Sequence, residues 1–122
     1  MASEPVRIPG PDHPITVTRS DAHVVVRAGG KVIADTSRAL ALQEASYPLV
    51  YYIPREDADM DLLERTDHAS YCPYKGEASY YSLRGGAANA VWSYEAPYDA
   101  VAEIRGHLAF YPDRVDAIEI SQ

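Results

Sequence analysis

The sequence predicts a mainly β, mostly antiparallel domain with one or two short helices. Two extended runs of strand-forming residues flank Gly29-Gly30, and two more flank Gly85-Gly86. Extended runs around a Gly-Gly pair are typical of a β-hairpin, because glycine readily adopts the positive φ that a two-residue turn needs. The chain has 122 residues, which is the length of a single domain.

Further short runs extend this prediction along the chain. Each is rich in strand-forming residues and ends near Gly, Pro or Asp. The predicted strands span residues 15–18, 23–28, 31–36, 38–44, 48–53, 77–84, 89–94, 108–111 and 117–120. Residues 38–44 also contain helix-favouring Ala, Leu, Gln and Glu, but Leu40 and Leu42 alternate as in a strand. We therefore expect a strand there.

Two segments predict the short helices. The first spans residues 57–65, where an aspartate can cap the first turn and Met60 and Leu63 fall on one face. The second spans residues 99–105 and is followed by Gly106, a residue type that commonly ends helices.

The first fourteen residues predict a flexible arm. They contain four prolines and no hydrophobic periodicity, which leaves residues 15–122 as a single β-rich domain. They also lack the apolar core of a signal peptide, and the longest apolar run, residues 47–53, is too short to span a bilayer. We expect a cytoplasmic protein.

Composition and charge argue against several classes of function. The net charge is −7 and the isoelectric point about 4.9, which disfavours binding to nucleic acid or to an anionic membrane surface. The single cysteine excludes an internal disulfide and a Cys-rich zinc site. No motif for a phosphate, dinucleotide or metal is present, so we predict no metal and no cofactor.

Ten tyrosines against one Phe and one Trp indicate half-buried surfaces or polar-lined clefts. In the second hairpin, a two-residue loop and a four-residue loop both predict the same division of faces. One face would then carry Ser79, Tyr81, Leu83, Ala90, Trp92 and Tyr94. This aromatic face is either core or the floor of a pocket.

The stretch YCPYKGE, residues 71–77, is the candidate reactive turn. Pro73 and Gly76 give its backbone a defined shape, and Lys75 lies close enough in sequence to lower the pKa of the Cys72 thiol. Glu44 or His68 would then handle protons. In the alternative interpretation, Cys72 is a small buried residue and Lys75 pairs with a carboxylate.

Several segments together resemble a known family. They are Val32–Leu40, Glu44, Tyr51–Pro54 with Asp57, Cys72–Ala78, Trp92–Tyr94 with Pro97, and Phe110-Tyr111. In order and spacing they resemble the domain-of-unknown-function 427 family over residues 13–120. The resemblance implies a β-tent-like fold, in which two small antiparallel sheets meet at an angle. The family carries a nucleotidyltransferase-like label, but this chain lacks the Gly-Ser plus paired-Asp arrangement that the label suggests.

Relatives with the β-tent fold often hold a zinc ion with four cysteines, and some bind small cyclic ligands in an aromatic cage. One cysteine cannot supply that zinc site, so packing must hold the sheets together.

Three functions remain open. The first is a small-molecule binding domain with a ring-lined pocket. Its walls would be Tyr52, Tyr74, Trp92 and Tyr94, with Arg38, Glu44 and Lys75 as polar contacts. The second is an enzyme in which Cys72 is the nucleophile and Lys75 and Glu44 assist it. The third is a structural or protein-interaction module, for which we expect a possible homodimer.

Overall fold

The computed structural model describes residues 6–122 and contains ten strands joined by short turns. The strands are β1 (Ile15–Arg19), β2 (His23–Ala28), β3 (Lys31–Thr36), β4 (Leu40–Glu44), β5 (Val50–Tyr52), β6 (Leu63–Cys72), β7 (Gly76–Leu83), β8 (Val91–Ser93), β9 (Ala109–Phe110) and β10 (Ala117–Ser121). The mainly β class and the antiparallel pairing predicted from the sequence are confirmed.

The strands form three antiparallel sheets, whereas the β-tent resemblance led us to expect two. The first sheet has the order β1-β4-β5, the second β10-β2-β3 and the third β6-β7-β8-β9. The two-sheet prediction is therefore wrong. The C-terminal strand does not join its neighbours in sequence but pairs with β2, from Ala117 opposite Arg27 to Ser121 opposite His23. This long-range pairing completes a separate sheet that local patterns did not indicate.

The hairpin of β2 and β3 forms as predicted. Both glycines of its turn have positive φ, 60° at Gly29 and 75° at Gly30. The predicted strand at residues 38–44 is also present, as β4, and β5 lies within the predicted range 48–53.

Neither of the two predicted helices forms as an α-helix. Residues 6–122 contain only short 3₁₀ segments: Arg55–Asp57, Met60–Leu62, Asp99–Ile104 and Pro112–Arg114. Within the first predicted helix, residues 57–65, the Asp59 side chain accepts a hydrogen bond from the Asp61 backbone nitrogen, which favours a tight local turn over a helix. From Leu63 the chain then runs as the ten-residue strand β6, which the sequence analysis missed. No helix in this described part is long and apolar enough to cross a membrane.

The hairpin of β7 and β8 has a different register from either predicted one. Tyr80 pairs with Trp92, and Tyr81 pairs with Val91. The connection between paired residues therefore contains an odd number of residues. Within it, Asn89 adopts a positive φ of 50° and its backbone nitrogen donates to Ser82 Oγ. The predicted division of faces is therefore wrong, since it placed Trp92 on the side of Ser79 and Tyr81.

The two faces of the third sheet pack into two separate hydrophobic clusters. One cluster contains Tyr81, Leu83 and Val91 and packs against the second sheet. The other contains Tyr80 and Tyr94, with Trp92 packed against it, and it joins the first sheet through Tyr52. A space between three sheets lies along the boundary between these clusters.

Candidate functional site

The YCPYKGE segment forms the tight turn between β6 and β7. The Lys75 backbone nitrogen donates to the Cys72 carbonyl at 3.2 Å, and Pro73 occupies the second position of this turn, which suits its fixed φ. Gly76 follows with a φ of 109°. The Lys75 carbonyl accepts from the Tyr98 backbone nitrogen at 3.0 Å. The turn is held by its own bond and by a neighbouring loop, so the direction of the Lys75 side chain is well defined.

Lys75 reaches inward from this turn, and only 8% of its side chain is exposed. Its ammonium donates to the Glu44 carboxylate and, at 3.6 Å, to Cys72 Sγ. It also lies 6.0 Å from the centre of the Tyr94 ring. The three residues predicted to act together, Cys72, Lys75 and Glu44, are therefore in one connected cluster. The cluster also contains the lysine–carboxylate pair of the alternative interpretation.

Glu44 lies at the end of β4 and binds two basic groups. Lys75 contacts one carboxylate oxygen, and His13 Nε2 lies 2.8 Å from the other. Burial by itself would raise the pKa of Glu44, but the hydrogen bonds from Lys75 and His13 outweigh it, so the net effect lowers the pKa. Glu44 is consequently ionised at neutral pH and holds Lys75 in place.

His13 is a member of the cluster that the sequence analysis missed. Its ring stacks on Tyr74 with centroids 4.1 Å apart and an interplanar angle of 7°. It lies 31 residues from Glu44 in the chain, in a segment without periodicity. No local pattern could have connected the two, because the contact depends on the long-range pairing of β1 with β4, which places Ile15 opposite Glu44.

A cavity of about 680 Å³ opens beside this cluster, where the three sheets meet. Val24 and Ile118 contribute from the second sheet, Leu42 from the first and Phe110 from the third. Apart from Glu44 and Lys75, every lining residue is aliphatic, aromatic or proline. The aromatic lining residues are Tyr47, Tyr51, Tyr52, Tyr80, Trp92, Tyr94, Phe110 and Tyr111. The cavity is therefore apolar with one charged end.

The mouth of the cavity is also apolar. Tyr47, Leu49 and Ile120 all line it and are among the large hydrophobic side chains that remain exposed to solvent. Tyr47 and Leu49 belong to the β4–β5 connection, and Gln43 Nε2 anchors that connection by donating to the Tyr47 carbonyl at 2.6 Å.

Tyr52, Trp92 and Tyr94 form an ordered wall of rings. Trp92 Nε1 donates to the Tyr52 hydroxyl at 3.2 Å, and their rings meet edge to face with centroids 6.3 Å apart. The Tyr94 ring lies 6.4 Å from that of Tyr52, and the Tyr111 ring lies 4.5 Å from that of Trp92. Three of the four predicted ring residues thus line one cavity.

Burial keeps these phenols in their neutral, hydrogen-bonding form. It raises the pKa of Tyr52 and Tyr94 well above the ordinary tyrosine value, and it raises that of Tyr111 to about 12. Tyr94 is 7% exposed, and its hydroxyl forms no hydrogen bond with any residue among 6–122. Because every fully buried polar side-chain atom among the described residues has a partner, this hydroxyl retains some accessible surface, and Tyr94 is one of the residues that line the cavity.

Three predicted site residues lie outside the cavity. Arg38 is exposed and pairs with Asp57, with Nη2 3.0 Å from Oδ1. Tyr74 packs on His13 behind the cluster, and Cys72 contacts the Lys75 ammonium without lining the cavity. His68, the alternative base, packs its ring against Tyr80 with centroids 4.4 Å apart. Within the described part of the chain, no three His, Cys, Asp or Glu side chains are grouped to hold a metal ion.

The fold and the site define a small all-β domain with an apolar, ring-lined cavity. Residues 16–121 match a family described as a domain of unknown function, DUF427. The chain belongs to this family, as the resemblance in the sequence indicated. No curated protein matches the chain significantly.

Proposed function

We propose that this protein binds a small, largely apolar ring compound in the cavity where the three sheets meet. The observation that carries the proposal is the combination of a preformed apolar cavity with two charged side chains at one end only. Pockets for small ligands are typically about 300–1,000 Å³, mostly apolar, and oriented by a few convergent polar groups. The cavity of about 680 Å³ fits this description.

The walls support a flat or cyclic ligand. The rings of Tyr52, Trp92 and Tyr94 offer faces and edges with which another ring can stack or meet edge to face. Exposed Tyr47 and Leu49 at the mouth would cover the outer end of such a ligand and lose contact with water. The acidic net charge of −7 adds no general attraction for anions, so recognition would depend on the cavity itself.

A neutral fluorescent probe tests the proposal directly. N-phenyl-1-naphthylamine emits strongly in apolar surroundings and contains two ring systems of suitable size. We expect saturable binding, accompanied by quenching of Trp92, which is the single tryptophan of the chain and lines the cavity. Val50→Phe should fill part of the cavity and weaken binding at least about tenfold.

Val32→Phe is the matched control, because it makes the same change at an exposed position on β3 that does not line the cavity. It should bind the probe as the wild type does. If the wild type gives no saturable signal, or if both variants weaken binding equally, the cavity is not a binding site and the proposal fails.

A second candidate function is a reaction at Cys72, and the contact between Lys75 Nζ and Cys72 Sγ favours it. A cationic donor at 3.6 Å stabilises negative charge on a sulfur nucleophile. We expect alkylation by iodoacetamide at pH 7 to slow several-fold in Lys75→Met but not in Lys31→Met, which removes the other lysine of the chain. Equal rates in both variants would leave Cys72 without an activating partner and remove this candidate.

A further inference from the structure

Two hydrogen-bond donors, the Lys75 ammonium and the Tyr94 hydroxyl, belong to residues that line the cavity, and the ammonium lies 6.0 Å from the centre of the Tyr94 ring. The Lys75 ammonium has three N–H bonds, and the contacts with Glu44 and Cys72 use two of them. The third remains for a group in the cavity that Lys75 lines. Tyr94 supplies the second donor, because the residue is only 7% exposed and its hydroxyl forms no hydrogen bond within residues 6–122.

These two donors require a hydrogen-bond acceptor on the ligand. The charge of the neighbouring Glu44 carboxylate decides whether that acceptor is a carboxylate or a neutral oxygen. Glu44 already places a carboxylate on the same ammonium, and its pKa is lowered by the hydrogen bonds from Lys75 and His13 despite the opposing effect of burial. A ligand carboxylate on the third N–H would lie within a few ångströms of the Glu44 carboxylate in surroundings of low polarity. Like charges at that separation repel strongly, whereas a neutral oxygen carries no such penalty.

We infer that the cavity selects a neutral carbonyl compound, a cyclic ketone, lactam or amide, whose oxygen accepts hydrogen bonds from both Lys75 and Tyr94. This inference rests on the proposed function, because it names the chemistry of the ligand for the same cavity. The carbonyl oxygen has two lone pairs and can accept from both donors at once. The apolar ring of the ligand then lies against the rings of Tyr52 and Trp92.

Three probes of nearly the same shape separate the possibilities. They are 1-indanone, its hydrocarbon isostere 1-methyleneindane, and indane-1-carboxylate. The readout is the single indole N–H signal of Trp92 in a ¹H–¹⁵N spectrum, which reports on the cavity wall because Nε1 donates to Tyr52. We expect the ketone to bind about tenfold or more tighter than the hydrocarbon, and the carboxylate to bind more weakly than the ketone.

Tyr94→Phe tests the donor itself. This variant removes a hydroxyl that has no partner within the described residues, so the fold should be unaffected, and the amide spectrum checks this. We expect the preference for ketone over hydrocarbon to fall about five-fold. Tyr98→Phe is the control, because it removes a tyrosine hydroxyl at a residue that does not line the cavity and whose hydroxyl lies 2.8 Å from that of Tyr71. It should keep the full preference.

Four results would overturn the inference while leaving the proposed function intact, provided that N-phenyl-1-naphthylamine still binds. These are equal affinity for ketone and hydrocarbon, tightest binding of the carboxylate, an unchanged preference in Tyr94→Phe, and no binding of any of the three indane compounds. If the naphthylamine probe also fails to bind, the proposed function fails together with the inference.

Discussion

Two partly buried cations each pair with a glutamate, but their surroundings differ. Arg55 donates to the Gly106 carbonyl, the Tyr81 hydroxyl, Ser93 Oγ and Glu95 Oε1, at 2.8–3.3 Å. Four hydrogen bonds use most of its five N–H groups. Lys75 pairs with Glu44 and contacts Cys72, keeps one N–H, and lines the large cavity. Arg55 does not line that cavity.

This comparison separates a structural ion pair from a candidate site. With four of its five N–H groups bonded to the protein, Arg55 ties elements together, here the 3₁₀ segment Arg55–Asp57 to the third sheet and to the loop at Gly106. Lys75 keeps one N–H beside the large apolar cavity and has the means to bind a ligand there. Since each cation keeps one N–H, its position relative to the cavity, and not burial or charge alone, distinguishes the two regions.

The largest effect that we expect is on stability at Arg55. Arg55→Met should lower the free energy of unfolding by about 2 kcal/mol, because it leaves Ser93, which is fully buried, and the Tyr81–Glu95 pair without their shared donor. Urea denaturation measures this, and Arg19→Met, at an exposed position at the end of β1, should change little. The folded variant should still bind N-phenyl-1-naphthylamine. A loss below about 0.5 kcal/mol, or loss of probe binding in folded protein, would erase the distinction between the two cations.

A smaller effect should appear as a pH dependence at Glu44. Because the pKa of Glu44 is lower in the folded state, its contribution to stability is fully present above the ordinary glutamate pKa of about 4.3 and disappears as the pH falls through the folded value. Glu44→Gln should cost about 1 kcal/mol at pH 7 and should reduce the decline in stability between neutral and acidic pH.

Glu64→Gln is the control for that measurement. Glu64 is an exposed carboxylate on β6 that lies 3.6 Å from Arg84, and its removal should leave the acid dependence nearly as in the wild type. Urea midpoints at a series of pH values compare the three proteins. Parallel curves for wild type and Glu44→Gln would mean that Lys75 and His13 do not hold the carboxylate ionised.

Much of the fold follows from contacts between residues that are close in the chain. The Gly29-Gly30 hairpin and strand β4 were predicted correctly because turn chemistry and alternation act over a few residues. The ten-residue strand β6 was missed because its inner and outer positions do not alternate cleanly, and six of its residues are exposed at an edge of the third sheet.

The candidate site was predictable only in part. Cys72 and Lys75 are three residues apart in a turn shaped by Pro73 and Gly76, so their proximity follows from the local backbone. The tyrosine-rich composition indicated ring-lined surfaces, but it could not say which rings share a cavity. The single odd loop between β7 and β8 moved Trp92 to the side of Tyr80, because a change of one residue in register reverses the face of every side chain.

Residue types and short-range sterics alone established an acidic, single-cysteine, mainly antiparallel β chain with a rigid Pro–Gly turn. The number of sheets, the partners of Lys75 and the existence of the cavity depended on packing between distant segments. Glu44 contacts His13, which lies 31 residues earlier in the chain, and Lys75, which lies 31 residues later. The His13 contact follows from the pairing of β1 with β4 within the first sheet. The Lys75 contact joins the first sheet to the third, and it forms only after the sheets have buried their apolar faces against one another, since that burial supplies the free energy that brings the polar groups together.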